Sequence, residues 1–362
     1  MLKWILTDCL TTAFFIVAAA QVMPWVEQAR ADSKRRDLTI LNWSDYMDQS
    51  LIAEFEVQHG IKVRQILFDS EDSRTDLLLS TQAVGYDLIL VSNSDINAYI
   101  RQGWLQPLDP ERLQASRQHI APRWNEFSDT ATRYGMPYLW GTLGFAYRAD
   151  LLKKAPSRWI DLYRPGAELQ GHIGMIEDSR DLIGMALKAL GHPLNSSDVQ
   201  QLTEAEELLL AQAPYVRSYQ YNLPGSDSAL VSGELKAAVL YNGDALALQE
   251  YSPELKFVLP QEGGNIWIDY FALGSHAPNP DMAYAFLKFI HQPEHAARLS
   301  QKLFFATPNE TAQTLLPESV RLNKAIYPDA QILARSEIHQ ALPPLAQKRR
   351  NVITSHLLRG RQ

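Results

Sequence analysis

Residues 262–273, Glu262-Gly263-Gly264-Asn265-Ile266-Trp267-Ile268-Asp269-Tyr270-Phe271-Ala272-Leu273, read as a glycine turn feeding a β-strand. Ile266, Ile268 and Tyr270 alternate with Trp267, Asp269 and Phe271 at the two-residue period of a pleated strand, so Trp267 and Asp269 share a face. An acid in a simple core needs a partner or a proton, whereas an indole beside a carboxylate suits an organic cation. Two readings follow from spacing alone: an edge-strand Asp packed by a structural Trp, or part of a cation site.

The flanking sequence sets this strand in an α/β protein. Leu38-Thr39-Ile40-Leu41 is a short apolar strand that runs into Asn42-Trp43-Ser44-Asp45-Tyr46. Asp48 is placed to cap a helix through Leu51, Ile52 and Phe55 that Gly60 stops, and residues 61–63 and 66–68 resume an extended path. A helix carrying Leu77, Leu78 and Leu79 leads to the strand 86–91, after which Ser92-Asn93-Ser94-Asp95 opens another helix. Strands alternating with helices imply a mostly parallel sheet with ligand sites at the carboxyl ends of its strands.

From Tyr134 to Arg148 an aromatic-rich extended stretch reads as a crossing into a second lobe. There the pattern starts afresh, with a strand at 171–176, a helix from Asp178 to Leu190 closed by Gly191, and a strand at 237–241 entering Asn242-Gly243-Asp244. Residues 262–273 then cross back. Beyond Pro343-Pro344 the tail is basic and amphipathic, with Lys348, Arg349, Arg350, Arg359 and Arg361 beside Val352, Ile353, Leu357 and Leu358. It reads as a solvated terminal helix, with a membrane-surface or partner contact as the other reading.

The chain has 362 residues, 46% of them hydrophobic, enough for a substantial core in two lobes. Its 34 basic and 41 acidic residues leave a net charge of −7, which argues against a general nucleic-acid binder and mildly favours a cationic partner. Lys3, an apolar run from Cys9 to Val22, Pro24 and then Ala29-Arg30-Ala31 form a secretory signal peptide over 1–31, cleaved before Asp32; an uncleaved anchor is the alternative. Cys9 is the only cysteine, so the mature chain would have neither disulfides nor thiol chemistry.

Enzyme signatures are missing: there is no Walker A loop, HExxH, GxSxG or clustered Cys/His set, and Pro293 interrupts the pair His291 and His295. No catalytic residue, metal or cofactor is expected. In Glu177-Asp178-Ser179-Arg180-Asp181, Asp178 is a good N-cap and Asp181 suits the positive end of the helix dipole. Those carboxylates also lie at a strand's carboxyl end, within reach of a ligand ammonium. Trp43 and Tyr46 either cover the sheet edge or wall in an alkyl chain. A linear polyamine needs aromatic walls for its methylenes and spaced carboxylates for its nitrogens; Trp43, Tyr46 and Trp267 with Asp178, Asp181 and Asp269 supply both.

At this point LNWSDY (41–46), IKV (61–63), YDLILVS (86–92), MPYLWG (136–141), WIDLYRP (159–165), EDSRD (177–181), LYNGDA (240–245), LPQEGGNIWID (259–269), ATPN (306–309) and IYPDA (326–330) together resemble the periplasmic spermidine/putrescine-binding proteins, over nearly the whole mature chain. The resemblance implies a two-lobed, type II-like periplasmic binding protein fold, with mixed sheets flanked by helices and a cleft between lobes that closes by hinge motion. Lobe 1 would comprise 32–143 and 270–315, and lobe 2 144–269 and 316–362.

By position, Trp43, Ser44 and Tyr46 resemble the family's first-loop contacts, and Ser92 a neighbouring one. Asp178 and Asp181 resemble its acidic pair, with Asp181 in place of the more usual Glu, and Trp267 and Asp269 match its Trp-x-Asp. Tyr241 stands where Trp is common, Ser94 and Phe305 where tyrosines are common, and His339 where a glutamine contact is expected. What the resemblance implies is a monomeric periplasmic polyamine-binding protein that serves an inner-membrane ABC permease. The alternatives are a periplasmic sensor paired with a membrane GGDEF/EAL protein, and a binder of another cationic solute.

Overall fold

A computed structural model describes residues 37–126 and 129–359, so the segment read as a signal peptide and Arg361 of the tail lie outside the described residues. In chain order the strands are β1 (Leu38–Trp43), β2 (Val63–Phe68), β3 (Leu88–Ser92), β4 (Leu105–Gln106), β5 (Gly135–Arg148), β6 (Ile173–Gly174), β7 (Val216–Ser218), β8 (Ala237–Tyr241), β9 (Leu255–Val258), β10 (Asn265–Gly274) and β11 (Glu337–Ile338). At 14 residues β5 is long enough to serve two sheets. Its first part pairs antiparallel with β10, and its second with β8 and β9.

The strands follow the order β2-β1-β3-β10-β5-β8-β6-β7. β1 is parallel to β2 and β3, while β10 runs antiparallel to β3 and β5, so the first sheet is mixed. The second is mixed too, because β6 is parallel to β7 and β8 while β5 opposes β8. Flanking helices follow local rules: Asp48 accepts from the Ser50 amide and Gly60 ends that helix at φ 63°, a left-handed turn that glycine enters without strain.

Each half has its own core. Leu38, Ile40, Leu90, Tyr270, Phe271 and Phe286 belong to the first, and Phe145, Trp159, Ile173, Ile183, Leu187 and Val239 to the second. Segment 316–333 departs from the sequence expectation: Ile326 lies in the first core, and Val320, Tyr327 and Leu333 pack against it. From Arg335 the chain meets the second half: Lys188 donates to the Arg335 carbonyl and to Glu337, and Asn195 to the Ile338 carbonyl. Apolar spacing marks a buried face without saying which core buries it.

The tail helix (Pro344–Arg359) also differs from the solvated helix expected, since Ala346, Arg350, Ile353, Thr354 and Leu357 are buried. These positions recur at helical spacing, and Ile353 and Leu357 enter the second core. At 171–176 the strand shrinks to Ile173–Gly174. No helix among the described residues is long and apolar enough to cross a membrane.

Candidate functional site

Gly263, at φ 80°, makes the turn before β10, and its carbonyl accepts from the Trp159 indole at 2.7 Å. Trp267 then lies against Gly141 of β5. A Cβ at residue 141 would stand 2.6 Å from Trp267 Cζ2 and 2.3 Å from Asn242 Oδ1, so only glycine admits this approach. Around the half-buried indole stand Phe305 at 4.9 Å, Tyr241 at 6.0 Å and Tyr46 at 6.4 Å between ring centroids, the first two nearly perpendicular. Tyr46 meets Tyr138 and Phe305 edge to face. The result is an aromatic box with apolar walls and electron-rich ring faces.

Two polar atoms in this box, Trp267 Nε1 and Tyr46 Oη, are buried without a partner of normal geometry, and the Asp269 carboxylate, only 6% exposed, forms no salt bridge with the described residues. Tyr46 lies close enough to Asp269 to influence its ionisation but makes no hydrogen bond of normal geometry. Burial first, and the nearby Glu71 and Asp95 charges, raise the Asp269 carboxyl to about 7 against the lowering effects of Arg74 and Tyr46. A cation beside it would restore its ordinary acidity.

The second acidic position is built differently. Asp178 caps the helix Ser179–Ala189, accepting from the Arg180 and Asp181 amides at 2.9 and 3.0 Å. Its carboxyl is pushed up by burial and then by the Asp181 charge. Asp181, 3% exposed, accepts from Tyr241 Oη at 2.9 Å and Asn265 Nδ2 at 3.2 Å, with His339 Nε2 at 2.8 Å. Burial would raise it, but His339, Tyr241 and the Arg180 charge outweigh that and hold it below the usual range.

The remaining expected residues are less committed to the box. Trp43 is half-buried against Phe68 at 4.5 Å. Ser44 is exposed and its hydroxyl turns to Asp69 at 2.6 Å. Ser92 donates to Glu71 at 3.0 Å and meets Ser94 at 2.8 Å. His291 and His295 bond backbone carbonyls of Leu287, Pro137 and Phe289, a structural use of both rings.

The family model described as bacterial extracellular solute-binding protein matches residues 50–326. This chain belongs to that family. Among relatives, a spermidine/putrescine-binding periplasmic protein of Salmonella typhimurium is 27% identical over 323 residues, 89% of this chain and 91% of that protein. A norspermidine sensor of Vibrio cholerae is 29% identical over 308 residues, 84% of each. A spermidine/putrescine ABC transporter substrate-binding protein of Streptococcus pneumoniae superposes with TM-score 0.81 at 29% identity, covering 90% of this chain and 100% of that one.

Within this extracellular solute-binding protein the structure adds site groups that sequence reasoning passed over. Asp244 follows β8, is raised to about 6 by burial and accepts from Tyr221 Oη at 2.5 Å. Its place after a strand, in Asn242-Gly243-Asp244, was a usable signal. Tyr138 and Asn265 lie in stretches that the sequence marks without singling them out, whereas nothing in it marks Tyr221, which tertiary packing brings in.

Proposed function

We propose that this solute-binding protein is a periplasmic polyamine-binding protein, the substrate-binding component of an ABC importer with an inner-membrane permease as its partner. The observation that carries this is the coincidence of a buried carboxylate with no cation paired to it, Asp269, and the ring faces of Tyr46, Tyr241, Trp267 and Phe305 in one aromatic box. An alkylammonium supplies a charged N–H donor to the Asp269 carboxylate and to the Tyr46 oxygen, and methylenes for the ring faces, among them that of Trp267. Asp181, with Asp178 beside it, offers a second anionic position across Tyr241. The names of the Salmonella and Streptococcus relatives support the same ligand class.

A sensory role is the second reading, favoured by the likeness to the Vibrio norspermidine sensor. Both roles share the ligand and differ in the membrane partner, a permease or a GGDEF/EAL protein. A thermal-shift panel of putrescine, norspermidine, spermidine and spermine tests the shared claim, because a ligand that binds only the folded state raises its melting temperature with occupancy. At least one amine is expected to shift the transition by several degrees at millimolar concentration; four flat responses would overturn the proposal. Crosslinking in membranes to a permease or to a GGDEF/EAL protein separates the two roles.

A further inference from the structure

The cleft carries a cation of its own. Arg180, from the helix that bears Asp181, extends its guanidinium to two carboxylates of the other lobe, Glu71 and, at 3.3 Å, Asp95. Asp95 precedes the helix Ile96–Arg101 but makes no side-chain capping bond to it, so its oxygens are committed to arginines. One is Arg180; the other is the buried Arg74, whose Nη2 lies 2.6 Å from Asp95 and whose Nε donates to Tyr99 Oη at 3.0 Å. Two acids and two arginines balance, and one of the four crosses between lobes.

This cluster adjoins the aromatic box. Ser92 donates to Glu71 and is the register partner of Asp269, and the charges of Glu71 and Asp95 bear on the Asp269 carboxyl. A contact path therefore runs from Asp269 past Ser92 and Glu71 to Arg180, and along its helix to Asp181, Tyr241 and Trp267. A guanidinium on two carboxylates does there what a ligand ammonium would do.

We infer that Arg180 is a specificity-determining residue: it fills the Glu71–Asp95 position with its own charge and thereby closes that part of the cleft to a further amino group of the ligand. The inference rests on the polyamine reading and adds to it a limit on ligand charge. An amine with one more ammonium than the Asp269 and Asp181 positions accept must displace Arg180, leaving a desolvated guanidinium unpaired. Arg180→Gln removes that occupant and leaves Glu71 and Asp95 with Arg74 alone, a net negative site.

The test is calorimetric titration of putrescine and spermidine into the parent and three variants. In Arg180→Gln the affinity ratio is expected to move toward spermidine by about tenfold, the weight of one desolvated charge contact. Glu71→Gln leaves excess positive charge and should move the ratio toward putrescine, about threefold or more. Arg180→Gln with Glu71→Gln restores the balance and should return the ratio to that of the parent. A merely structural Arg180 would weaken both amines together and leave the ratio unmoved, and Glu71→Gln would not invert it; either result overturns the inference, and the single Glu71 variant decides the matter even if the Arg180 variants do not fold. A parent that binds neither amine overturns the functional reading itself, which a bound parent with unmoved ratios does not.

Discussion

Asp269 and Ser92 are register partners across β10 and β3, yet the Ser92 hydroxyl turns to Glu71 and not to the Asp269 carboxylate, which is left with no cation paired to it and Tyr46 beside it. A buried acid so placed either takes a proton or waits for a cation. Its carboxyl, raised to about 7, shows the cost of waiting.

That cost predicts a pH-dependent stability. Between the ordinary carboxylate range and about pH 7 the folded protein holds a proton on Asp269 that the unfolded chain has lost, so ligand-free stability falls as pH rises through this window and levels off above it. Asp269→Asn removes the titration. In urea denaturation the variant should exceed the parent by a few kcal/mol at pH 8 and by clearly less at pH 5. A gap independent of pH would contradict the assignment.

Binding should depend on pH in the opposite sense. A cationic ligand requires the ionised carboxylate, so affinity should fall about tenfold per unit as pH drops below about 7, with proton release on binding near neutrality. Calorimetry in two buffers of different ionisation enthalpy measures that release. Equal heats in both at pH 6.5 would exclude Asp269 as the linked group.

Helix ends and the crossing strand were legible because local chemistry decides them: Asp48 caps, Gly60 turns left-handed, and alternation exposes Trp267 and Asp269 on one face. Partner choice among charges was not. His339 reaches Asp181 across 158 residues, and Arg180 meets Glu71 across 109, separations at which no local pattern specifies a contact. Ser44 shows the converse, since a residue in the right motif turned outward to Asp69.

Gly141→Ala should disturb both packing and site. The added methyl would intrude on the Trp267 ring and Asn242, at an expected cost of about 1–3 kcal/mol in thermal or urea unfolding. Combining it with Trp267→Leu should cost less than the sum of the two, because the second change relieves the clash. Strict additivity would show that the indole does not lie on Gly141.

Leu357→Ala tests the tail helix. As a member of the second core it should cost about 2–5 kcal/mol in urea unfolding. A solvated helix would lose less than about 0.5 kcal/mol.

The central claim, that Asp269 receives a ligand ammonium inside the aromatic box, is tested most directly by isothermal titration of putrescine and spermidine into the parent and Asp269→Ala at pH 8. The parent should bind at least one amine at a single site, and the variant should lose about 2–5 kcal/mol, roughly 30-fold to several thousand-fold in Kd. Equal affinity in parent and variant, or no binding heat in the parent with either amine, would contradict it.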